Sequence, residues 1–209
     1  MPVALNPVDR VDSTFLLVIG LSVAILLGIT VLMVVFTIRY RRERNPEPTT
    51  IPGNRILEIL WTVIPTIIVM IMFYYGWDSY VALRQGPADA LEVNVTARMF
   101  SWNFAYANGR QCGDLLVPVG KPVRLTLTSL DVIHSLFLPA FRIKRDAVPG
   151  MWTQAWFLPR TEGIYEIFCA EYCGTKHSDM IAKVVVHEPE EFKKWLEEAA
   201  NWAAKLPPA

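Results

Sequence analysis

Two long apolar runs in the first 80 residues contain no charged side chain. The first run has 26 residues between Asp12 and Arg39, and the second has 19 residues between Glu58 and Asp78. Helices of this length, at about 1.5 Å per residue, reach across a hydrocarbon layer of about 30 Å. The pattern therefore predicts a hairpin of two transmembrane helices. The predicted spans are about 14–38 and 59–80.

Two other interpretations of the first run are weaker. A buried core helix of this length would need a much larger soluble protein around it. A cleaved signal peptide has an apolar stretch of only about 7–15 residues and a small-residue cleavage site. Here only Arg10 precedes the run, and the basic segment 39–42 follows it.

The arginines of the connecting loop predict the orientation of the hairpin. The loop is richer in basic residues than either flank, so the positive-inside rule puts it in the cytoplasm. Both termini, and everything after about residue 80, are then expected on the outer, periplasmic side of a bacterial cell membrane. Aromatic residues near the end of the second span suit the outer interface. The loop arginines are Arg39, Arg41, Arg42, Arg44 and Arg55, and the aromatic residues are Tyr74, Tyr75 and Trp77.

The chain changes character from Asp89 onward. Proline and glycine recur there between short runs in which apolar or β-branched residues alternate with polar ones. Strands of about 5–8 residues separated by turn residues are typical of an antiparallel sandwich or barrel. The runs predicted as strands are 91–97, 123–129, 163–169 and 181–187.

The last segment predicts one amphipathic helix, which we expect to pack on the edge of the sandwich. Pro189 suits its first turn, and apolar residues recur at helical spacing. The chain is thus predicted to divide into the hairpin segment 1–88, a β-rich domain 89–188, and the helix and tail 189–209. The apolar helix positions are Phe192, Trp195, Leu196, Ala199, Ala200 and Ala203.

Composition and charge exclude several classes of protein. The chain has 20 basic and 20 acidic residues, so it has no net positive charge to neutralise phosphates, and nucleic acid is not expected as a partner. An apolar content of 53% argues against a disordered chain. Three cysteines among 209 residues are too few for a disulfide framework.

Two of the three cysteines and two of the three histidines fall into one candidate cluster. Cys169 and Cys173 are followed by His177 and Met180 in the pattern C-x3-C-x3-H-x2-M. His134 lies 35 residues before the first of these cysteines. The cysteine and histidine outside the cluster, expected to be ordinary structural residues, are Cys112 and His187.

The cluster has the ligand types of a copper site. Two thiolates and two imidazoles can also form a tetrahedral zinc site, but a thioether such as that of Met180 is a soft ligand that suits copper. Two cysteines flanked by two histidines can hold two coppers bridged by both sulfurs, which spreads one electron over two metals. A disulfide between Cys169 and Cys173 is a further alternative, although it would leave the histidines and Met180 without a role.

Several features occur together in this chain. They are the two-span hairpin, LEILWTVIP at the head of the second span, His-Ser before Lys-x-Asp-Ala-Val-Pro-Gly, and C-x-E-x-C-x3-H-x2-M. Over nearly its full length the chain therefore resembles subunit II of the haem-copper cytochrome c oxidases. The resemblance implies a membrane-anchored α+β fold, in which a cupredoxin-like antiparallel β-sandwich with a C-terminal helix follows the hairpin. It also implies a subunit that passes electrons to haem in subunit I of a respiratory terminal oxidase, which reduces oxygen to water with proton translocation.

The resemblance assigns a binuclear copper centre, CuA, to the cluster. The side chain of Glu171 would point toward a magnesium site at the junction with subunit I. Asp146 matches a family acid at the same junction, or is simply a turn aspartate. The implied copper ligands are the bridging thiolates of Cys169 and Cys173, the imidazoles of His134 and His177, the thioether of Met180 and the backbone carbonyl of Glu171.

Two further roles concern protons and electrons. Glu58 matches a family glutamate at the cytoplasmic mouth of a proton path, whereas without the resemblance it is an acid that snorkels at the end of a span. The family's electron-accepting aromatic cluster begins with a Trp, where this chain has Phe100. Trp102 aligns with the second Trp of that cluster. Phe100 and Trp102 are therefore the candidates for receiving the electron.

The implied partners are subunit I, subunit III, the lipid bilayer, and a cytochrome c or a cytochrome c domain of an associated complex. From residue 90 onward the chain has 13 basic and 13 acidic residues, so no net negative charge attracts a basic cytochrome c from a distance. A donor held in place by a partner complex is therefore expected. Two alternatives stay open: the CuA subunit of a haem-copper nitric oxide reductase, and a membrane-anchored copper-delivery protein.

Overall fold

The computed structural model describes residues 6–47, 49–50 and 52–203, with side chains up to residue 198. Residues 10–79 form one compact unit, and the remaining described residues form a second.

The first unit consists of most of two long apolar helices, α1 (Pro7–Arg39) and α2 (Arg55–Arg84). Both are long and apolar enough to cross a membrane, and their apolar windows are not buried within the protein. The two helices form a hairpin, because the hydroxyl of Thr14 on α1 lies 2.8 Å from that of Ser79 on α2.

The start of α2 is fixed by a side-chain cap. The Oδ1 atom of Asn54 accepts hydrogen bonds from the backbone N–H groups of Ile56 and Leu57, at 3.0 and 3.2 Å. This satisfies donors that the first turn of a helix leaves without an intrahelical partner.

The second unit contains ten strands in two five-stranded sheets. One sheet, here called sheet I, has the order β3-β2-β1-β5-β8, and sheet II has the order β4-β10-β9-β6-β7. The strands are β1 (Leu91–Arg98), β2 (Ser101–Tyr106), β3 (Gln111–Cys112), β4 (Leu115–Pro118), β5 (Val123–Ser129), β6 (His134–Leu138), β7 (Ile143–Ala147), β8 (Thr153–Phe157), β9 (Gly163–Cys169) and β10 (Ile181–His187).

The core lies between the two sheets. Alternate residues of β5 face inward, so it buries Val123, Leu125 and Leu127 while the residues between them are partly exposed. The four strands predicted from sequence are β1, β5, β9 and β10, and their bounds differ by at most one residue from the prediction. The expected β-sandwich is confirmed.

Two of the strand pairs in the sandwich are parallel rather than antiparallel. β1 pairs with β5 in parallel, and β10 pairs with β4 in parallel. Neither pair is joined by a hairpin, since the chain forms other strands between its two members. Alternation of polar and apolar residues shows which face of a strand is buried, but it carries no information about the direction of a neighbour that is distant in sequence.

The C-terminal helix α3 (Pro189–Ala203) is present as predicted. Phe192 is buried, and Trp195 packs its ring edge against Tyr106, with the ring centroids 5.2 Å apart. This contact places the apolar face of α3 against β2. The side chains of three of the predicted apolar positions, Ala199, Ala200 and Ala203, lie outside the described residues.

Candidate metal centre

Three neighbouring elements bring the candidate ligands together. β6 begins at His134 and β9 ends at Cys169, and the two strands are paired so that Leu136 lies opposite Cys169. The loop after β9 returns into β10, and the N–H of Cys169 donates to the carbonyl of Met180 over 3.2 Å. The backbone at both ends of the loop is therefore held by sheet II.

The side chains of the cluster converge. The two cysteine sulfurs are 3.9 Å apart, and Nδ1 of His134 is 3.9 Å from Sγ of Cys169. On the other side, Nδ1 of His177 is 3.6 Å and Sδ of Met180 is 3.9 Å from Sγ of Cys173. Every predicted ligand side chain thus lies within 4 Å of one of the two sulfurs.

The cysteines of the cluster are free thiols. Their sulfurs are 3.9 Å apart, far beyond the S–S bond of about 2.05 Å, so the alternative of a disulfide is not what the structure shows. The ligand atoms of His134, Cys169 and Cys173 all lie within 4.8 Å of one another, and all three residues are buried. All three residues can therefore bind the same metal centre.

The donor atoms of the cluster fit a soft metal ion that binds thiolates. Burial and the neighbouring Cys169 raise the pKa of the Cys173 thiol to about 11. A metal ion replaces that proton and supplies the positive charge that a pair of buried thiolates lacks. Met180 is 1% exposed, so its thioether is shielded from solvent and directed at the sulfurs rather than at water.

Asp131 holds the outer side of His134, a role that the sequence analysis missed. Its Oδ1 lies 2.8 Å from Nε2 of His134, and its Oδ2 accepts the N–H of Met99 over 2.7 Å. Partial burial acts to raise the pKa of Asp131, but these hydrogen bonds outweigh it and lower that pKa to about 2. Metal-bound histidines usually donate their second N–H to such an acceptor, and Asp-x-x-His at 131–134 was the available signal.

The two candidate electron-accepting residues occupy different environments. Trp102 is 4% exposed, and its ring stands edge-on to His134 with the centroids 6.1 Å apart. Phe100 is partly buried and packs against Gly174. A Cβ added at Gly174 would lie 3.0 Å from the Phe100 ring. Alternation along β2 turns the rings of Trp102 and Phe104 into the core, so neither ring forms part of the outer surface.

The two acids near the centre face outward. Glu171 is exposed, while its backbone carbonyl accepts a contact from Sγ of Cys169 at 3.3 Å. Asp146 lies opposite Ser135 in the β6–β7 pairing and accepts the hydrogen bond of its hydroxyl at 2.6 Å. Because Ser135 follows His134 in the sequence, this hydrogen bond holds Asp146 against the residue next to a candidate ligand.

Glu58 belongs to the helical unit and lies in the first turn of α2. Its side chain is exposed, and its N–H donates to the carbonyl of Asn54 over 3.0 Å. An acid in this position also interacts favourably with the helix dipole, typically by about 0.3–1 kcal/mol.

The comparisons with known proteins agree with this architecture. The family model described as cytochrome c oxidase subunit II, periplasmic domain, matches residues 93–188, and the transmembrane-domain model matches residues 5–77. Cytochrome c oxidase subunit 2 of Thermostichus vulcanus is 31% identical, with 88% of this chain and 73% of that protein aligned. The chain belongs to the cytochrome c oxidase subunit II family. A second relative, cytochrome c oxidase subunit 2 of Synechocystis, is 30% identical over 96% of this chain and 75% of its own length.

A solved structure supports the fold of the second unit. The periplasmic domain of subunit II of the cytochrome oxidase of Bradyrhizobium japonicum (CoxB) is 32% identical, covers 56% of this chain and 98% of its own, and superposes with a TM-score of 0.53. This subunit II chain is therefore part of cytochrome c oxidase, a haem-copper oxidoreductase that contains subunit I. Its two apolar helices and its oxidase domain make it a membrane protein of a copper-binding family.

Proposed function

We propose that this subunit II chain accepts electrons from a cytochrome c and passes them to haem in subunit I, with a binuclear copper centre, CuA, as the carrier. The observation that carries the proposal is the pair of free thiols 3.9 Å apart with an imidazole Nδ1 atom beside each sulfur. Reduction of oxygen to water in subunit I, with proton translocation, would be the overall reaction.

The residues that would hold the metal pair are those that converge on the sulfurs. Cys169 and Cys173 would bridge, and Met180 and the Glu171 carbonyl would complete the two coordination spheres. When bound, the copper pair supplies one-electron redox chemistry with little change in geometry. The protein's part is to bury the ligands and fix their backbone in sheet II, so that their positions change little with oxidation state. The imidazoles of His134 and His177 would be the remaining ligands.

The ligand set favours copper over zinc. A tetrahedral zinc site is complete with two thiolates and two imidazoles and has no use for a fifth donor. Here Met180 adds a buried thioether 3.9 Å from Cys173, and soft thioether ligands select copper. A copper-delivery protein needs ligands that exchange metal readily, whereas His134, Cys173 and Met180 are all buried.

The test is the metal content and spectrum of Cys173→Ser in the purified oxidase. We expect two coppers per wild-type subunit II and loss of the delocalised mixed-valence signal in the variant. Cys112→Ser is the matched control, because Cys112 is also a free cysteine but lies in β3, away from the cluster. One zinc and no copper in the wild-type site would refute the proposal.

Two neighbouring acids would act at the junction with subunit I. The exposed side chain of Glu171 is suited to ligate magnesium there while its carbonyl faces the cluster. Asp146, held by Ser135, would contribute to the same junction. A magnesium ligand at Glu171 would connect the copper site and subunit I through one residue.

Orientation and domain division complete the proposal. The arginine-rich loop between α1 and α2 favours a cytoplasmic location, which puts the oxidase domain on the outer, periplasmic side. We divide the chain at 88/89 and 188/189, into the hairpin, the copper domain and the C-terminal helix. Glu58, at the loop end of α2, would then lie at the cytoplasmic surface and take up protons for subunit I.

The electron donor is proposed to be a cytochrome c domain held near this subunit by an associated complex. The outer region has equal numbers of acidic and basic residues, and a tethered donor does not need electrostatic attraction because its effective concentration is high. The electron would arrive near the partly buried Phe100, with Trp102 packed behind it against His134.

Salt dependence distinguishes a tethered donor from a freely diffusing one. We expect slow reduction of the oxidase by a soluble basic cytochrome c, with little change as ionic strength rises. Phe100→Trp is expected to change this rate and Phe100→Leu to lower it. Fast reduction at low salt that collapses at high salt would show a steered, diffusing donor instead.

The nitric oxide reductase alternative would require non-haem iron rather than copper beside the catalytic haem of subunit I. Metal analysis of the complex distinguishes the two.

A further inference from the structure

A basic cavity lies in the second unit where the two sheets meet the last turn of α2. Its walls come from α2 after residue 79, from β7, which is the edge strand of sheet II, and from β8, which is the edge strand of sheet I. The cavity has a volume of about 140 Å³. A single water molecule needs only about 10–15 Å³ by the same measure, so the cavity has room for a group as large as a phosphate.

The wall formed by α2 is fixed to the sandwich. The indole Nε1 of the buried Trp156 donates to the carbonyl of Ala82 over 3.0 Å. The chain then passes so close to this ring that a Cβ added at Gly86 would lie 2.9 Å from Trp156 Cγ. Arg124 donates to the carbonyls of Gly86 and Pro87 at 3.1 and 2.6 Å. The cavity is therefore a preformed feature rather than a gap beside a loose segment.

The lining of the cavity has an excess of positive charge. Four of its lining residues are basic, and none of the described residues that line it is acidic. The Nε atom of Arg145 is buried and has no hydrogen-bond partner among the described residues. A buried donor of this kind is costly unless a ligand or water satisfies it. The basic residues are Arg84, Arg142, Lys144 and Arg145.

Asp146 is the acidic residue next to this lining in the sequence. Asp146 follows Arg145 on β7, and its carboxylate is occupied by the hydroxyl of Ser135 at 2.6 Å. Asp146 is not among the residues that line the cavity.

We propose that this cavity binds the phosphate of an anionic phospholipid. A phosphodiester offers oxygen acceptors to the guanidinium of Arg145 and to the other basic side chains, which form strong charge-assisted hydrogen bonds with phosphate. The position of the cavity along α2 favours a lipid over a free anion. Tyr80, in its wall, is three residues after the exposed Trp77, or about 4.5 Å along the helix, and such aromatic residues mark the headgroup region of a bilayer.

The test is a lipid titration of the full-length chain, purified in detergent and followed by native mass spectrometry. We expect phosphatidylglycerol to bind the wild type and to bind Arg84→Gln/Arg145→Gln at least tenfold more weakly. The control, Lys121→Gln/Lys183→Gln, removes the same charge from residues that do not line the cavity, and its affinity is expected to stay within twofold. Unchanged copper content in all variants would show that they are folded, and this readout separates the lipid site from the proposed electron-transfer function.

Three outcomes would overturn the proposal. Equal binding of phosphatidylcholine would show that the negative charge of the lipid does not matter. Displacement of phosphatidylglycerol by inorganic phosphate at similar affinity would identify a site for a free anion. Unchanged lipid binding by Arg84→Gln/Arg145→Gln, with loss of subunit I from the purified variant complex, would show that the cavity receives an acidic group of subunit I.

Discussion

The Oδ1 atom of Asp131 lies 2.8 Å from Nε2 of His134, on the side of the imidazole opposite to Cys169. The same carboxylate accepts the N–H of Met99, so it joins the β1–β2 turn to the candidate copper ligand. A carboxylate in this position selects the His134 tautomer with hydrogen on Nε2, which leaves Nδ1 free to bind metal.

Asp131→Ala is therefore expected to weaken copper retention about 10–100-fold, since the imidazole loses the group that orients it. The measurement is copper per chain after dialysis against a graded series of chelator concentrations. Asp114→Ala is the control, because Asp114 also accepts a backbone N–H, that of Lys183 at 2.9 Å, but is not hydrogen-bonded to a ligand histidine among the described residues. Equal retention by the two variants would mean that Asp131 only stabilises its loop.

Gly174 is expected to be intolerant of a side chain. Its φ is +137°, and an added Cβ would lie 3.0 Å from the ring of Phe100. Gly174→Ala should lower the free energy of unfolding by about 1–3 kcal/mol, the usual cost of a residue held in a strained conformation. Thermal unfolding of the oxidase domain measures this effect.

Gly109→Ala separates the two causes of the Gly174 effect. Gly109 also has a positive φ, +84°, but nothing lies within 4 Å of its added Cβ. If Gly109→Ala lowers the melting temperature as much as Gly174→Ala does, contact with Phe100 contributes nothing. Partial recovery in the double variant Gly174→Ala/Phe100→Leu is expected, because the smaller side chain gives way.

Local patterns in the sequence were sufficient to predict the elements that carry the site. The alternation in 163–169 and 181–187 defines β9 and β10, and the ligand motif between them forms the loop that joins the two strands. His134 is distant in sequence, and its place beside Cys169 depends on the pairing of β6 with β9. His134 could nevertheless be assigned to the cluster from sequence, because its imidazole, like the cysteine thiolates, is a metal ligand.

Features that depend on tertiary neighbours were not predicted. The inward direction of Trp102 depends on which face of β2 is buried, and a short aromatic-rich strand does not reveal that face by itself. The basic cavity combines residues from α2, β7 and β8 that are up to 76 positions apart, from Tyr80 to Trp156. No single segment carries its pattern.

Glu58→Ala is expected to slow steady-state oxygen consumption by the oxidase while the copper spectrum stays unchanged. Glu58 is an exposed acid in the first turn of α2, and its loss should cost no more than about 1 kcal/mol of helix stabilisation. Glu58→Gln tests the proton-uptake role more narrowly, because the amide keeps the size of the side chain but does not exchange a proton.

Glu47→Ala is the control for Glu58, since Glu47 is an exposed acid in the loop between the helices. Turnover equal to that of the wild type in both Glu58 variants would show that this residue only stabilises the start of α2.

Burial of Tyr106 should make the stability of the oxidase domain fall at alkaline pH. Its hydroxyl is buried, donates to the carbonyl of Leu116 and accepts the N–H of the same residue, each at 2.8 Å. Burial raises the pKa of Tyr106 well above its usual value near 10. A pKa that is higher in the folded state stabilises the protein fully below the unfolded value, and this stability is lost as pH rises toward the folded value.

We therefore expect the free energy of unfolding to fall as pH rises above about 10, because the unfolded chain releases the phenolic proton and the folded chain retains it. Tyr106→Phe should lower stability by about 1–3 kcal/mol at pH 7, since two buried backbone groups lose their partner, and should reduce the alkaline slope. Tyr165→Phe is the control, because its hydroxyl donates to the carbonyl of the exposed Thr161. Denaturant unfolding between pH 7 and 11 provides the comparison, and an unchanged slope in Tyr106→Phe would assign the alkaline loss to other groups.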